Sequence, residues 1–302
     1  AYFLLPLIKN LNRDKFEIYC FYNGRKVDHI THEFETLSDH WEIIDSLSDE
    51  QLLNTIADHN IDILIDLTGH TAHNRLPVFS QRAAPVQMTW LGYPHSTGLQ
   101  EMDIRIIDEI TDPSHTSDDV NSEKLVRLPK GFLCYEGDVS VSYQNTPPSI
   151  KNKFITFGSF NNIAKLNDAV IKAWAEILSA VPDSRLIIKS RQLEQTLLRK
   201  QYINDFEKLG VSSERITLLK ILPARENHLK IYDQIDIALD SFPYNGTTTT
   251  CEAMWMGVPT ITLLGNRHAA RVGASIMVHS GFKDLVTKDL KAYRRKLKKK
   301  KN

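Results

Sequence analysis

The amino-acid sequence predicts an α/β protein made of two Rossmann-like domains with parallel sheets. Three observations carry that expectation. Short β-rich runs alternate with helical periods along all 302 residues, the pattern of parallel strands covered by helices. The alternation breaks once, at 137–153, where Ser, Thr, Asn and the pair Pro147-Pro148 read as an interdomain linker. It then restarts with a second set of strands and helices, and the length suffices for two cores of ordinary size.

In the first domain, 1–136, the opening run Ala1-Tyr-Phe-Leu-Leu-Pro-Leu-Ile8 has the spacing of an amphipathic helix already under way, so the chain reads as beginning inside a domain. Strands are expected at 16–22, 41–44, 61–67, 86–90, 104–107 and 124–128. The clearest helix is 48–59, where Ser48 and Gln51 match a capping box. In the second domain, 154–290, strands are expected at 154–157, 185–188, 216–219, 235–239 and 260–264. Helices are expected at 167–181, 192–209, 225–232 and 248–257. The lysine-rich segment 291–302 reads as a disordered, solvated tail, with a contact to nucleic acid or acidic lipid as the alternative.

Hydrophobic content of 42% and charged content of 25% fit a soluble globular enzyme. The formal charge of +0 supplies no field toward nucleic acid or a membrane surface. Cys20, Cys134 and Cys251 are far apart and lack metal-ligand spacing, which predicts reduced thiols in a cytoplasmic protein. No apolar run reaches membrane-spanning length, and no signal peptide precedes the first strand. No Gly-x-Gly-x-x-Gly follows a strand, which argues against a nicotinamide dehydrogenase.

The most informative segment is Asp240-Ser-Phe-Pro-Tyr-Asn-Gly-Thr-Thr-Thr-Thr-Cys-Glu252. An apolar strand ends at Asp240, a turn holds Pro243, Asn245 and Gly246, and four threonines open a helix. Unpaired N–H groups and the helix dipole make such a start a phosphate cradle without a P-loop lysine, with Thr247, Thr248 and Thr249 adding hydroxyl donors. A plain N-cap at Thr247 or Thr248 is the simpler alternative. Glu252, one turn on, could accept ribose hydroxyl groups. A second cluster, Phe157-Gly-Ser-Phe-Asn-Asn-Ile-Ala-Lys165, places Asn161, Asn162 and Lys165 at the carboxyl edge of the sheet, where open α/β folds bind ligands. Lys165 there would meet charge growing on a departing nucleotide. In a third, Leu222-Pro-Ala-Arg-Glu-Asn-His228, Arg225 could pair with phosphate and His228 with a nucleotide.

The first domain carries Asp66-Leu-Thr-Gly-His-Thr-Ala-His-Asn-Arg75 and Trp90-Leu-Gly-Tyr-Pro-His-Ser-Thr-Gly98. Both follow strand ends and would face a cleft from the side opposite the second domain, through His70, Gly92, Tyr93 and Pro94; the resemblance given below makes that the acceptor side. His70 and His73 lack a third ligand other than Asp66, so no metal site is expected.

These motifs, together with Gln81-Arg-Ala-Ala-Pro-Val-Gln87, Met102-Asp103, Ser122-Glu-Lys124, Leu128-Pro129, Trp255-Met-Gly-Val-Pro259 and Arg271-Val-Gly-Ala-Ser275, resemble the catalytic region of the protein O-linked N-acetylglucosamine transferase family, in its bacterial branch. The resemblance runs from Ala1 to about Val286. It implies a GT-B fold, two facing domains with a cleft between them, and inverting, metal-independent transfer of N-acetylglucosamine or a related sugar. The donor would be a UDP-sugar, UDP-N-acetylglucosamine above all, the acceptors Ser or Thr hydroxyls of proteins, and no cofactor is implied. Carried over by position, Lys165 matches the family lysine at the diphosphate, and Asn162 stands where many members have glutamine. His228 matches a uridine-side histidine, and Arg225 stands where some members have lysine. Thr248 and Thr249 match phosphate-binding threonines, Thr247 replaces a histidine of animal members, and Glu252 stands in for a ribose-binding aspartate. The resemblance also implies a region cut at both ends, without the upstream Asp-x-x-x-His segment, the tetratricopeptide repeats and the closing helices. A GT-B enzyme acting on a glycan or lipid, and a non-catalytic nucleotide-sugar-binding remnant, are the alternatives.

Overall fold

The structure is a computed structural model and describes residues 1–298. Two compact units divide the chain, one over Ala1–Glu136 and one from Gly137 onward.

In the first unit the elements follow in the order α1 (Leu5–Asn10), β1 (Tyr19–Tyr22), α2 (His29–Leu37), β2 (His40–Ile43), α3 (Asp49–Asp58), β3 (Ile63–Asp66), α4 (Leu76–Phe79), β4 (Val86–Trp90), β5 (Ile104–Ile107) and β6 (Lys124–Arg127). Strands β1 and β2 pair in parallel, and a separate parallel sheet has the order β3-β4-β5-β6. Helix α1 starts later than its apolar spacing suggests, with Pro6 in its first turn, where the missing N–H costs nothing. The capping box at Ser48 and Gln51 forms in both directions. Helix α3 buries Leu52 and Ile56 with Ile44, Leu64, Leu76 and Phe79.

Several conspicuous motif residues of this unit hold the fold. Gln87 is buried; its amide donates to the carbonyls of Phe79 and Glu101 and accepts the Ala83 N–H. The Asp103 carboxylate takes Arg82 and the Gln87 N–H, which hold it below the usual carboxylate range.

The second unit runs α5 (Pro148–Asn152), β7 (Thr156–Ser159), α6 (Asp168–Ala180), β8 (Arg185–Lys189), α7 (Thr196–Lys208), β9 (Ile216–Leu219), α8 (Arg225–Lys230), β10 (Ile237–Leu239), α9 (Thr248–Trp255), β11 (Thr260–Leu263), α10 (Val272–His279), β12 (Val286–Thr287) and α11 (Leu290–Lys298). Its strands form one parallel sheet in the order β12-β11-β10-β7-β8-β9. The chain winds outward from β7 through β8 and β9, then returns to β10 on the other side and winds through β11 and β12. The order therefore reverses between β7 and β10, and the loops leaving those two strands diverge and open a crevice. Phe157, Trp174, Ile177, Leu186, Ile237 and Ile261 fill the core around them.

Three expectations change. The expected helix 192–209 is a 3-10 turn, Arg191–Glu194, followed by α7, with Gln195 extended between them. The segment 137–153 is not a free linker: Val141 is buried with Ile231, Tyr232 and Met256, and the Asp236 carboxylate accepts the N–H groups of Ser149 and Thr156. The basic end is not a solvated tail through residue 298, because α11 buries Tyr293 against Phe242 and beside Trp174. Arg294 lies 2.7 Å from Glu176 on α6. An aromatic side chain three residues into the run supplies the apolar anchor that the surrounding charges obscure. Residues 299–302 of that expected tail lie outside the described residues.

Replacing a fully buried aromatic side chain by alanine costs roughly 3–5 kcal/mol. Tyr293→Ala should therefore lower the melting temperature of the second unit by several degrees. An unchanged melting curve would return α11 to the status of a loose end.

Candidate functional site

The crevice between β7 and β10 gathers most of the chemistry-bearing residues of the second unit. After β10, the chain turns at Asp240 through a cis Phe242-Pro243 bond and enters α9 at Thr248. The Thr247 side chain makes no capping hydrogen bond to α9, so the plain N-cap does not account for it. By helix geometry the N–H groups of Thr248, Thr249 and Thr250 have no intrahelical acceptor. Gly246 fits here because a Cβ would come within 2.7 Å of the Asn161, Thr249 and Thr250 side-chain oxygens.

Asp240 organises this turn. Its fully buried carboxylate accepts the Gly246 N–H at 2.7 Å and the Thr262 hydroxyl at 2.7 Å. The Asn161 amide, from the loop after β7, donates to the same carboxylate at 3.4 Å and accepts the Thr249 hydroxyl at 2.6 Å. Lys165 closes the ring. Its Nζ donates to the Asn245 carbonyl at 2.8 Å and sits 3.9 Å from the centre of the Tyr244 ring. Burial pushes the Lys165 ammonium below its ordinary range, and Asp240 pulls it back up.

The expected site residues thus fall into two groups. Lys165, Gly246, Thr247, Thr248 and Thr249 come together around the start of α9. Asn161 and Asn245 are there too, but their side chains are committed to the fold. Asn245 is buried, donates to the Ser241 carbonyl and accepts the Gly273 N–H, so it shapes the turn from within. Asn162 is exposed, caps a 3-10 turn and accepts Gln192.

Arg225, His228 and Glu252 form the other group. The His228 Nε2 lies 2.9 Å from the Glu252 carboxylate, and Arg225 lies 3.7 Å from its other oxygen. Tyr232 joins the groups, since its hydroxyl donates to the Thr249 carbonyl at 3.0 Å and lies 3.3 Å from Glu252. Sequence reasoning missed Asp240 as the hub, as well as Lys189 and Tyr232. The available signal was a charged residue closing an apolar strand, which both Asp240 and Lys189 provide.

In the first unit, His70 contacts the Thr97 carbonyl at 2.7 Å and meets the Tyr93 ring edge-on. Thr97 and Ser96 in turn donate to the buried Glu123 carboxylate; burial alone would raise it, but these hydrogen bonds prevail and lower it. Gly92 passes so close to the Leu67 carbonyl that a Cβ would lie 1.9 Å from its oxygen. His70, Gly92, Tyr93 and Pro94 thus belong to two interlocked loops at the ends of β3 and β4. His73 sits apart from His70 on exposed backbone with φ 61°. No group of three His, Cys, Asp or Glu side chains among the described residues is placed to hold a metal ion.

The sequence profile of glycosyl transferase family 41 matches residues 3–145 and 139–301. The probable UDP-N-acetylglucosamine–peptide N-acetylglucosaminyltransferase SPINDLY of Arabidopsis thaliana is 39% identical over 97% of this chain. The corresponding SEC protein of the same plant is 27% identical over 94%. The chain spans about a third of the length of these relatives, 32% and 30%. Among solved structures, a mutant O-GlcNAc transferase of Thermobaculum terrenum superposes with a TM-score of 0.94 at 35% identity, over 98% of this chain and 56% of that one. HepE of Anabaena, solved with UDP and glucose, superposes with a TM-score of 0.52 at 11% identity over 92% of this chain and 90% of its own, a likeness of fold alone.

Burial raises the Asp240 carboxyl from 3.8 to about 6, against the opposing pull of Gly246, Thr262 and Lys165. The folded chain then holds a proton that the unfolded chain releases at lower pH. Stability from this group is full below about pH 4 and is lost as the pH rises through about 6, a change of about 3 kcal/mol. Asp240→Asn keeps the shape without the titration and should flatten the stability–pH curve across that window. Denaturant titrations at several pH values measure it; the same slope in both proteins would contradict the assignment.

Proposed function

The chain belongs to glycosyl transferase family 41, and on that premise we propose that it is the nucleotide-sugar-handling core of a protein glycosyltransferase. In this reading it carries N-acetylglucosamine or a related sugar from a UDP-sugar to Ser or Thr hydroxyls, with inversion and without a metal ion. The observation that carries the reading is the meeting of Lys165 with the turn that opens α9, where its Nζ is 2.8 Å from the Asn245 carbonyl. A diphosphate there would receive the N–H groups at the start of α9, the hydroxyls of Thr247 and Thr248, and the Lys165 ammonium. The Thr249 hydroxyl already donates to Asn161, so its part is to position that loop. Arg225, His228 and Glu252 lie beyond the diphosphate position, linked to it by Tyr232, and would take the nucleoside.

In the transfer step the acceptor oxygen bonds to the anomeric carbon while the bond from that carbon to the diphosphate oxygen breaks. The electron pair leaves with UDP, and the acceptor's proton passes to solvent water or to the departing diphosphate. Lys165 and the helix start meet the charge that grows on the departing diphosphate, the task a metal ion performs in other transferases. Support for a protein acceptor comes from the family and from the relatives' names. No helix among the described residues is long and apolar enough to cross a membrane.

UDP should raise the melting temperature of the chain, and NAD should not. Calorimetry against UDP- and GDP-sugars then identifies the donor, and preference for a GDP-sugar would overturn the uridine assignment. Lys165→Met should slow transfer about a hundredfold or more while weakening UDP-sugar binding far less, because the charge it meets develops in the transition state. Equal transfer by the variant would remove Lys165 from the chemistry.

A further inference from the structure

Lys189 closes β8 and points its chain into the interior, where it is 2% exposed. Its ammonium reaches His228 twice, through the ring nitrogen Nδ1 and through the main-chain carbonyl at 3.3 Å. The second contact falls near the carboxyl end of α8, where a cation complements the unpaired carbonyls. The Phe160 ring lies 4.6 Å from the same ammonium. On the other side of the imidazole, Nε2 faces the Glu252 carboxylate at 2.9 Å.

An ammonium has donors only, and a carboxylate has acceptors only. The imidazole between them must accept at Nδ1 and donate at Nε2, which is one tautomer out of two. We propose that Lys189 is a positioning residue that fixes His228 as the Nε2–H tautomer and so holds His228 and Glu252 as one preformed nucleoside-binding unit. The nucleoside clause rests on the nucleotide reading given above; the tautomer does not. Burial lowers the Lys189 ammonium to about 8, and Glu252 opposes that fall, so the donor stays protonated at neutral pH.

The test is an imidazole 1H–15N spectrum of the ligand-free chain, with His228 assigned by its loss in His228→Gln. The expected spectrum has Nε2 protonated and Nδ1 bare. A protonated Nδ1, or an averaged mixture, overturns the proposal without any change at Lys189. Lys189→Met should let Nδ1 take up a proton more readily while Nε2 stays protonated against Glu252, whereas Lys189→Arg should keep the single tautomer; an unchanged ring in Lys189→Met overturns it as well. UDP affinity should fall about tenfold in Lys189→Met, the scale of a hydrogen bond to a charged group, and recover in Lys189→Arg. Unchanged affinity in Lys189→Met overturns the nucleoside clause. If the unaltered chain shows the expected tautomer and binds no UDP, the nucleotide reading fails and the tautomer assignment stands.

Discussion

A single buried carboxylate, that of Asp240, ties together the elements that meet at the reversal of strand order in the second unit. It receives a backbone N–H from the turn before α9, a hydroxyl from β11 and an amide from the loop after β7. Its own carbonyl accepts the Tyr293 hydroxyl from α11 at 3.2 Å. A parallel sheet sends its loops out from one edge, and at the reversal two of them separate. Without a shared acceptor the donors of these loops would have no common partner, and desolvated donors without partners are costly. The packing is correspondingly close, since a Cβ on Gly273 would come within 2.3 Å of the carboxylate. The turn that opens α9 is therefore fixed from beneath.

A second set of charges obeys the same rule. Glu252, His228, Lys189 and Arg225 are buried or partly so, and each has an opposite or hydrogen-bonding neighbour. Removing one member of such a set leaves another uncompensated, and that penalty exceeds the worth of any single contact. Tyr232 bonds to the Thr249 carbonyl and lies beside Glu252, so the two sets form one polar network through an apolar core. Networks satisfied in this way favour a single arrangement. A site assembled before its ligand arrives loses less freedom on binding.

Much of the fold was legible because periodicity is local. The strands at 86–90, 104–107 and 216–219 and the box at Ser48 lie where the pattern put them. Short or charged elements escaped: β12 has two residues, and α11 hides Tyr293 among lysines and arginines. The start of α9, Lys165, Arg225 and His228 stand out in the sequence because each lies in a segment that follows a strand, and Glu252 because it lies one turn into α9. Lys189 and Tyr232 do not: a charge closing an apolar strand marks Lys189 without naming its partner far away in sequence, and a lone phenol gives no local signal. Asn245 misled for a related reason. An asparagine in a turn looks the same whether its amide faces a ligand or the Ser241 carbonyl.

Buried carboxylates at strand ends recur in both units, which makes the difference between them informative. Asp66, closing β3, accepts the N–H groups of Thr68 and Gly69 and the hydroxyls of Thr68 and Thr89. Asp108, just after β5, accepts the N–H groups of Ile110, Thr111 and Phe132. In these places the carboxylate itself takes the donors of the loop that follows, so the negative charge is already supplied. From its loop Asp240 takes the N–H groups of Gly246 and Ser241. The donors at the start of α9 lie beyond its reach, next to a lysine whose ammonium is held by a neutral carbonyl and an aromatic ring. Asp240 favours the charged form of that lysine, so the α9 turn differs from the other strand ends in its helix-start donors rather than in an uncancelled charge. Our proposal of an anion site at the α9 turn rests on that difference more than on the number of threonines.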